Sequence, residues 1–144
     1  MKYVLLVSHG TLAPALYETL VSFFVGNRED LLYANEAEGM GPDDFVEVLQ
    51  EKLQVIGEDD EVIVLADLLG GSPITYTSYT INMMGLLDRA VFMTGMNMPT
   101  VIDVLALKDS MSIHELVDHI CSSPATRVMP FQLTPYAEES TEAI

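Results

Sequence analysis

Short apolar runs recur along the chain, each too brief for a helix of core length and each stopping at a polar or glycine-rich loop. The first is Tyr3-Val4-Leu5-Leu6-Val7-Ser8, followed at once by His9-Gly10. Glu61 to Ala66 and Ala90 to Thr94 repeat the pattern, and Leu31 to Asn35 is a shorter candidate. Continuous aliphatic and β-branched runs of this length suit strands buried on both faces of a parallel sheet. Between them lie segments of helical period. Pro14 to Phe24 carries Leu16, Leu20, Phe23 and Phe24 at spacings of three and four. Pro42 to Ile56 would bury Phe45, Val48, Leu49, Leu53 and Ile56. Ser72 reads as an N-cap with Pro73 as first helical residue, opening a helix to about Met84 that Gly85 stops. Val101 to Leu107 follows, and Ser112-Ile113-His114-Glu115 opens, through a capping box, a helix ending near Cys121.

Strands alternating with helices predict an α/β fold, with a parallel sheet covered by helices on both faces. A flavodoxin-like open sheet of order 2-1-3-4 is the natural arrangement. Thr126 to Leu133 is a further strand candidate, but Pro130 lacks an amide hydrogen and confines it to an edge. Such a strand is suited to pair with, or exchange into, a second subunit. Residues 1–136 are expected to form one domain, and 137–144 an acidic C-terminal tail.

Composition narrows the function classes. The chain has 144 residues, 49% of them hydrophobic, which excludes a disordered protein. Its apolar stretches break well before the ~18 residues of a membrane span, and no signal-peptide pattern opens it. The one cysteine, Cys121, can form no internal disulfide, is expected as a small core side chain, and suits a reducing compartment. A cytoplasmic location follows. The formal charge of −16 arises from 22 acids against six bases. Nucleic acid, which is bound by neutralising phosphates with Lys and Arg, is excluded as a partner; a basic protein would be drawn in.

Chemistry concentrates at two strand ends. Ligands of open α/β sheets bind beyond the carboxyl ends of the strands, and His9 and Asp67 both emerge there if the first and third strands adjoin. A carboxylate beside an imidazole fixes which ring nitrogen holds the proton and leaves the other as nucleophile or base. Gly70-Gly71-Ser72-Pro73 then offers backbone amides, a hydroxyl and the positive end of a helix dipole, a set suited to phosphate. No P-loop lysine and no Gly-x-Gly-x-x-Gly pattern is present, so no nucleotide or other cofactor is expected. His114 and His119 are spaced too poorly for one metal site and read as surface residues; no metal is expected. The methionines, Met83, Met84, Met93, Met96 and Met98 among them, read as core filler, although Met96 and Met98 flank the site with Asn97 between and are candidates to face a partner.

Val7-Ser8-His9-Gly10, Asp67-Leu68-Leu69-Gly70-Gly71-Ser72-Pro73 and Gly95-Met96-Asn97-Met98-Pro99 together resemble three motifs of the mannose-type enzyme IIA domains of the bacterial phosphoenolpyruvate-dependent sugar phosphotransferase system. The resemblance spans about residues 1–133. It implies a phosphocarrier that accepts a phosphoryl group from phospho-HPr and passes it to a histidine of a IIB protein, coupled to membrane components IIC and IID. His9 matches the phosphorylated histidine and Asp67 its orienting carboxylate. Gly10, Gly71 and Ser72 would bind phosphate, and Met96, Asn97 and Met98 would face the partner. Family members more often carry Val and Ile where this chain has the two methionines. The resemblance also implies a homodimer with the C-terminal strand exchanged antiparallel and a place near the inner face of the membrane through the transporter partners; many relatives continue through a linker into a IIB domain, and as a departure from that pattern a separate IIB protein is expected here. Two other readings stay open: the phosphotransfer subunit of a phosphoenolpyruvate-dependent dihydroxyacetone kinase, and a non-catalytic regulatory module of the same fold.

Overall fold

A computed structural model describes residues 1–135. Four strands, β1 (Lys2–His9), β2 (Leu31–Glu36), β3 (Glu61–Ala66) and β4 (Ala90–Thr94), form one sheet of order β2-β1-β3-β4. Every pairing is parallel. Five helices connect and cover them: α1 (Leu12–Leu20), α2 (Pro42–Leu53), α3 (Ser72–Met83), α4 (Met98–Leu107) and α5 (Ile113–Ser122). The flavodoxin-like α/β arrangement is therefore the observed one.

The sheet's pleat sorts the core into two halves. Val4 and Leu6 of β1 join Ile63, Leu65, Val91 and Met93 against the buried faces of α1, α4 and α5. Leu5 and Val7 point the other way with Val62, Val64 and Ala66, against Phe45, Leu49 and Leu53 of α2 and Ile81 of α3. Alternation at period two is what lets one unbroken apolar strand feed both layers.

At the amino edge of the sheet a charged cluster closes the bottom of the fold. Lys108, at the end of α4, has a side chain only 1% exposed, and its Nζ lies 2.8 Å from Asp30 and 3.1 Å from Asp109. Arg28 donates from Nε and Nη2 to the same Asp30 carboxylate. A buried ammonium is tolerated only with such partners. The Arg28 hydrogen bonds, helped by Lys108 and opposed by burial, hold the Asp30 carboxyl far below the usual carboxylate range.

Three expectations are corrected. The helix expected to run to Phe24 ends at Leu20 and continues as a π-helical turn over Val21–Val25. That wider winding adds a residue to the turn and rotates the face that follows, so Phe23 and Phe24 are exposed rather than packed. Cys121 is exposed, because the buried stripe of α5 is Ile113, Leu116 and Ile120, and Cys121 lies off it. Met83 is also exposed rather than core filler, whereas Met93 is buried. The segment expected to pair across a dimer forms no strand with its own chain among the described residues: after a 3-10 turn at Pro124–Thr126 it runs irregularly, with Val128, Phe131 and Leu133 almost wholly exposed. Nothing in the chain's own sheet pairs with this arm. The tail expected over 137–144 lies outside the described residues.

Candidate functional site

The carboxyl edge of the sheet carries the site. His9 is the last residue of β1 and sits beside Glu36 of β2 in the parallel register. Asp67 follows β3 directly, and its amide donates to the Val7 carbonyl at 3.2 Å, so the β1–β3 pairing extends to the base of the site. Both ends of His9 then reach one carboxylate oxygen. The backbone amide donates to Asp67 Oδ2 at 2.9 Å, and ring Nδ1 lies 2.9 Å from the same atom. A carboxylate can only accept, so Nδ1 carries the proton and Nε2 keeps a free lone pair. The Leu68 amide occupies the other oxygen, Oδ1, at 2.9 Å.

These bonds set the electrostatics. Burial pushes the Asp67 carboxyl up, but the His9 amide, the His9 ring and the Leu68 amide outweigh it and hold its pKa below the ordinary value. The carboxylate is thus charged across the physiological range. Its side chain is 10% exposed and that of His9 42%, so the anion lies beneath a ring that is partly open to solvent.

Gly71 lies against that ring. Its φ of +103° belongs to a region essentially restricted to glycine. A Cβ there would stand 3.0 Å from His9 Cε1 and 3.1 Å from Nε2. Gly71, not Ser72, is the N-cap of α3; Ser72 and Pro73 are the first two helical residues. The correction follows from backbone conformation, since the residue with non-helical dihedrals is the glycine. Ser72 is half-buried in the first turn, where helical amides have no partner within the helix. Gly10 also has positive φ, +55°, which turns the chain from β1 into α1.

The fourth loop departs from expectation. Met96 is 9% exposed and belongs to the core, so it is not a partner-facing residue. Asn97 caps α4, accepting from the Thr100 amide at 2.9 Å and donating to the Thr126 carbonyl at 3.0 Å. Met98 is partly buried against the core. The large apolar side chains exposed near His9 are instead Leu68, Leu69 and Leu12. They were legible only as interruptions of a glycine-rich loop.

Two polar side chains that hold the site were missed. The Ser8 hydroxyl, fully buried, accepts from the Ala13 amide at 2.7 Å and caps α1. Asn35 donates to the Gly10 carbonyl at 2.8 Å. A polar residue at the carboxyl end of the strand beside β1 was the available signal. His114 and His119 are exposed on α5, as expected. Among the described residues, no three His, Cys, Asp or Glu side chains converge to hold a metal ion, and no helix is long and apolar enough to cross a membrane.

The bases are unevenly placed: five of the six lie at the amino edge, paired there with acids such as Asp30, Asp60, Glu61 and Asp109, and Arg127 follows Thr126, whose carbonyl is held to Asn97 beyond β4. Lys2, Arg28, Lys52, Arg89 and Lys108 lie at strand starts or helix ends, on the amino edge. Glu36, Glu38, Asp43, Asp44 and Asp67 lie in loops or first turns at the carboxyl edge. The site thus opens onto an acidic rim with leucines in it.

A family model described as "PTS system fructose IIA component" matches residues 3–121. The chain is 28% identical over 120 residues to the PTS system fructose-specific EIIA component of Bacillus subtilis, covering 83% of this chain and 80% of that protein. Among solved structures, the mannose/sorbose specific IIA subunit of the phosphotransferase system from Enterococcus faecalis superposes with a TM-score of 0.77 at 23% identity, covering 95% of this chain and 100% of the other. The PTS IIA protein associated with the fucose utilization operon of Streptococcus pneumoniae gives 0.68 at 26% identity, covering 83% and 88%.

Proposed function

The chain belongs to the fructose IIA component family of the sugar phosphotransferase system, and on that premise we propose that it is a phosphocarrier whose reacting atom is Nε2 of His9. The phosphoryl donor is phospho-HPr and the acceptor a histidine of a IIB protein. The observation that carries the reading is the Nδ1–Asp67 hydrogen bond at 2.9 Å, which leaves Nε2 as the free lone pair of a partly exposed ring.

In the transfer, the Nε2 lone pair attacks phosphorus and the donor's P–N bond breaks, returning its electron pair to the donor ring. The Nδ1 proton stays in place. The new phosphoimidazole therefore carries positive ring charge, which the Asp67 carboxylate stabilises. The same charge makes the ring a good leaving group when a IIB histidine attacks in turn. Gly71 leaves space at Nε2 for the phosphoryl oxygens, and Ser72 with the first-turn amides of α3 would receive them. Gly10 keeps the turn beside the ring free of a side chain.

The acidic rim suits a basic partner, and rim charges of this kind act mainly on association rate. The exposed arm after Thr126 supports a homodimer in which a second copy covers Val128, Phe131 and Leu133. Coupling to the IIC and IID components would bring the protein to the inner face of the membrane.

Incubation with phosphoenolpyruvate, enzyme I and HPr tests the reading. Wild-type protein should take up one acid-labile phosphoryl group and pass it to a IIB protein, and His9→Ala should take up none while keeping its fold. Uptake undiminished in His9→Ala would overturn the assignment, and onward transfer only to dihydroxyacetone kinase subunits would replace the acceptor.

A further inference from the structure

Resting on the phosphocarrier reading, we propose that Asn35 is a positioning residue for transfer at His9, acting through the left-handed turn at Gly10. In the parallel register Ser8 adjoins Asn35 and His9 adjoins Glu36. Beyond the last paired residue, β2 keeps its hold on Gly10 in two ways. The Gly10 amide donates to the Glu36 carbonyl at 2.8 Å, and the Asn35 side-chain amide donates to the Gly10 carbonyl at 2.8 Å. The first of these continues the sheet ladder. The second does not: it is a side chain reaching out of the sheet to hold a loop.

That hold matters because Gly10 is the residue least able to hold itself. At φ +55°, with no neighbour within 4 Å of where a Cβ would be, neither sterics nor packing selects its conformation. On its far side His9 is tied to β3 through Asp67, by amide and ring. One residue before His9, the Ser8 hydroxyl accepts from the Ala13 amide and holds the start of α1. His9 therefore sits in a short arch with Asp67 gripping one side and Asn35 the other. A trans peptide directs its carbonyl and amide in opposite directions. By drawing the Gly10 carbonyl toward β2, Asn35 also turns the Thr11 amide away from β2.

Without the donor, the Gly10 carbonyl loses its side-chain hold and the turn keeps only the Gly10 amide bond to Glu36, so the orientation of the imidazole against Gly71 leans more heavily on Asp67. The loss falls on the reacting geometry, not on partner binding, because Asn35 acts within the turn. Single-turnover transfer from purified phospho-HPr should separate the two. Asn35→Ala should lower the rate at saturating donor about five- to tenfold, the order expected for one hydrogen bond. Asn35→Asp, which keeps the shape but sets an acceptor against the carbonyl, should lower it further. The half-saturating donor concentration should stay within about twofold in both. Rates at saturation within twofold of wild type in both variants, or a change confined to half-saturation, would overturn the role. So would a lowered unfolding midpoint with an unchanged rate per folded molecule, which would make Asn35 a structural strut. Wild-type protein that took no phosphoryl group on His9 would instead overturn the carrier reading itself, and the positioning role with it.

Discussion

Replacing Gly71 with alanine should damage phosphoryl transfer far more than it damages the fold. The backbone cost comes first: φ +103° with ψ 176° is a glycine-only conformation, and holding a residue with a Cβ there costs about 1–3 kcal/mol. The steric cost falls on the nucleophile. The added carbon would meet Cε1 at 3.0 Å and Nε2 at 3.1 Å, against the ~3.5–4.0 Å of ordinary contact. The ring must therefore yield by roughly 0.5 Å, yet its other edge is pinned at 2.9 Å to Asp67. Stretching that bond by as much takes it past the ~3.2 Å limit of good geometry. A displacement of ~1 Å costs about 100-fold in rate, so half of it costs about tenfold, and a methyl group beside Nε2 adds obstruction. The expected fall is about 10- to 100-fold, read by rapid-quench single-turnover transfer beside urea unfolding. Gly85→Ala is the control: φ is +74°, nothing lies within 4 Å, and the residue ends α3 at the opposite edge of the sheet. It should lose a comparable 1–2 kcal/mol of stability and no transfer rate. Transfer by Gly71→Ala within threefold of wild type, or equal rate losses in the two variants, would refute the reasoning.

Asp67→Asn keeps the shape but offers the ring an amide, so Nδ1 can become the acceptor and Nε2 the protonated nitrogen; transfer should fall roughly 10²- to 10⁴-fold with dimerisation retained, and a rate near wild type would count against the orienting role. Asp30 has a folded pKa depressed by Arg28 and Lys108, so the unfolded state binds more protons as pH falls below about 4. The stability difference between wild type and Asp30→Asn should therefore be full above that pH and shrink below it, measured by urea midpoints; a difference that grew on acidification would contradict the sign. Sedimentation equilibrium should find a dimer that weakens when Phe131 and Leu133 are both changed to Asp, since each buried side chain contributes about 1.5–3 kcal/mol. A concentration-independent monomer of the wild-type chain would remove the second copy from the account.

What the sequence made legible follows the strength of local signals. β3 and β4 coincide with their apolar runs, because a central parallel strand needs both faces buried and the run stops where burial stops. Ser112 and Glu115 form the reciprocal cap read from their spacing, at 3.1 Å each way. The cap of α3 shifted by one residue because Ser72 and Gly71 both suit an N-cap, and only the backbone dihedrals choose between them. Phe23 and Phe24 misled because a change of helical winding leaves no mark in apolar spacing. Met96 and Asn97 took their expected roles from their place beside the site, whereas one is held by the core and the other by a cap and the Thr126 carbonyl. The arm from Val128 to Leu133 has the composition of a strand but pairs with none of the four strands among the described residues, and Pro130 confines such a segment to an edge. Asn35 escaped notice because its bond to Gly10 joins residues 25 apart and exists only once β2 lies beside β1.

The most direct test places the phosphorus on an atom. Protein labelled with nitrogen-15 in histidine, phosphorylated through enzyme I and HPr, should show phosphorus coupled to Nε2 of His9 alone, with Nδ1 still carrying its proton against Asp67. Phosphorus on Nδ1 of His9, or on His114 or His119, would contradict the account.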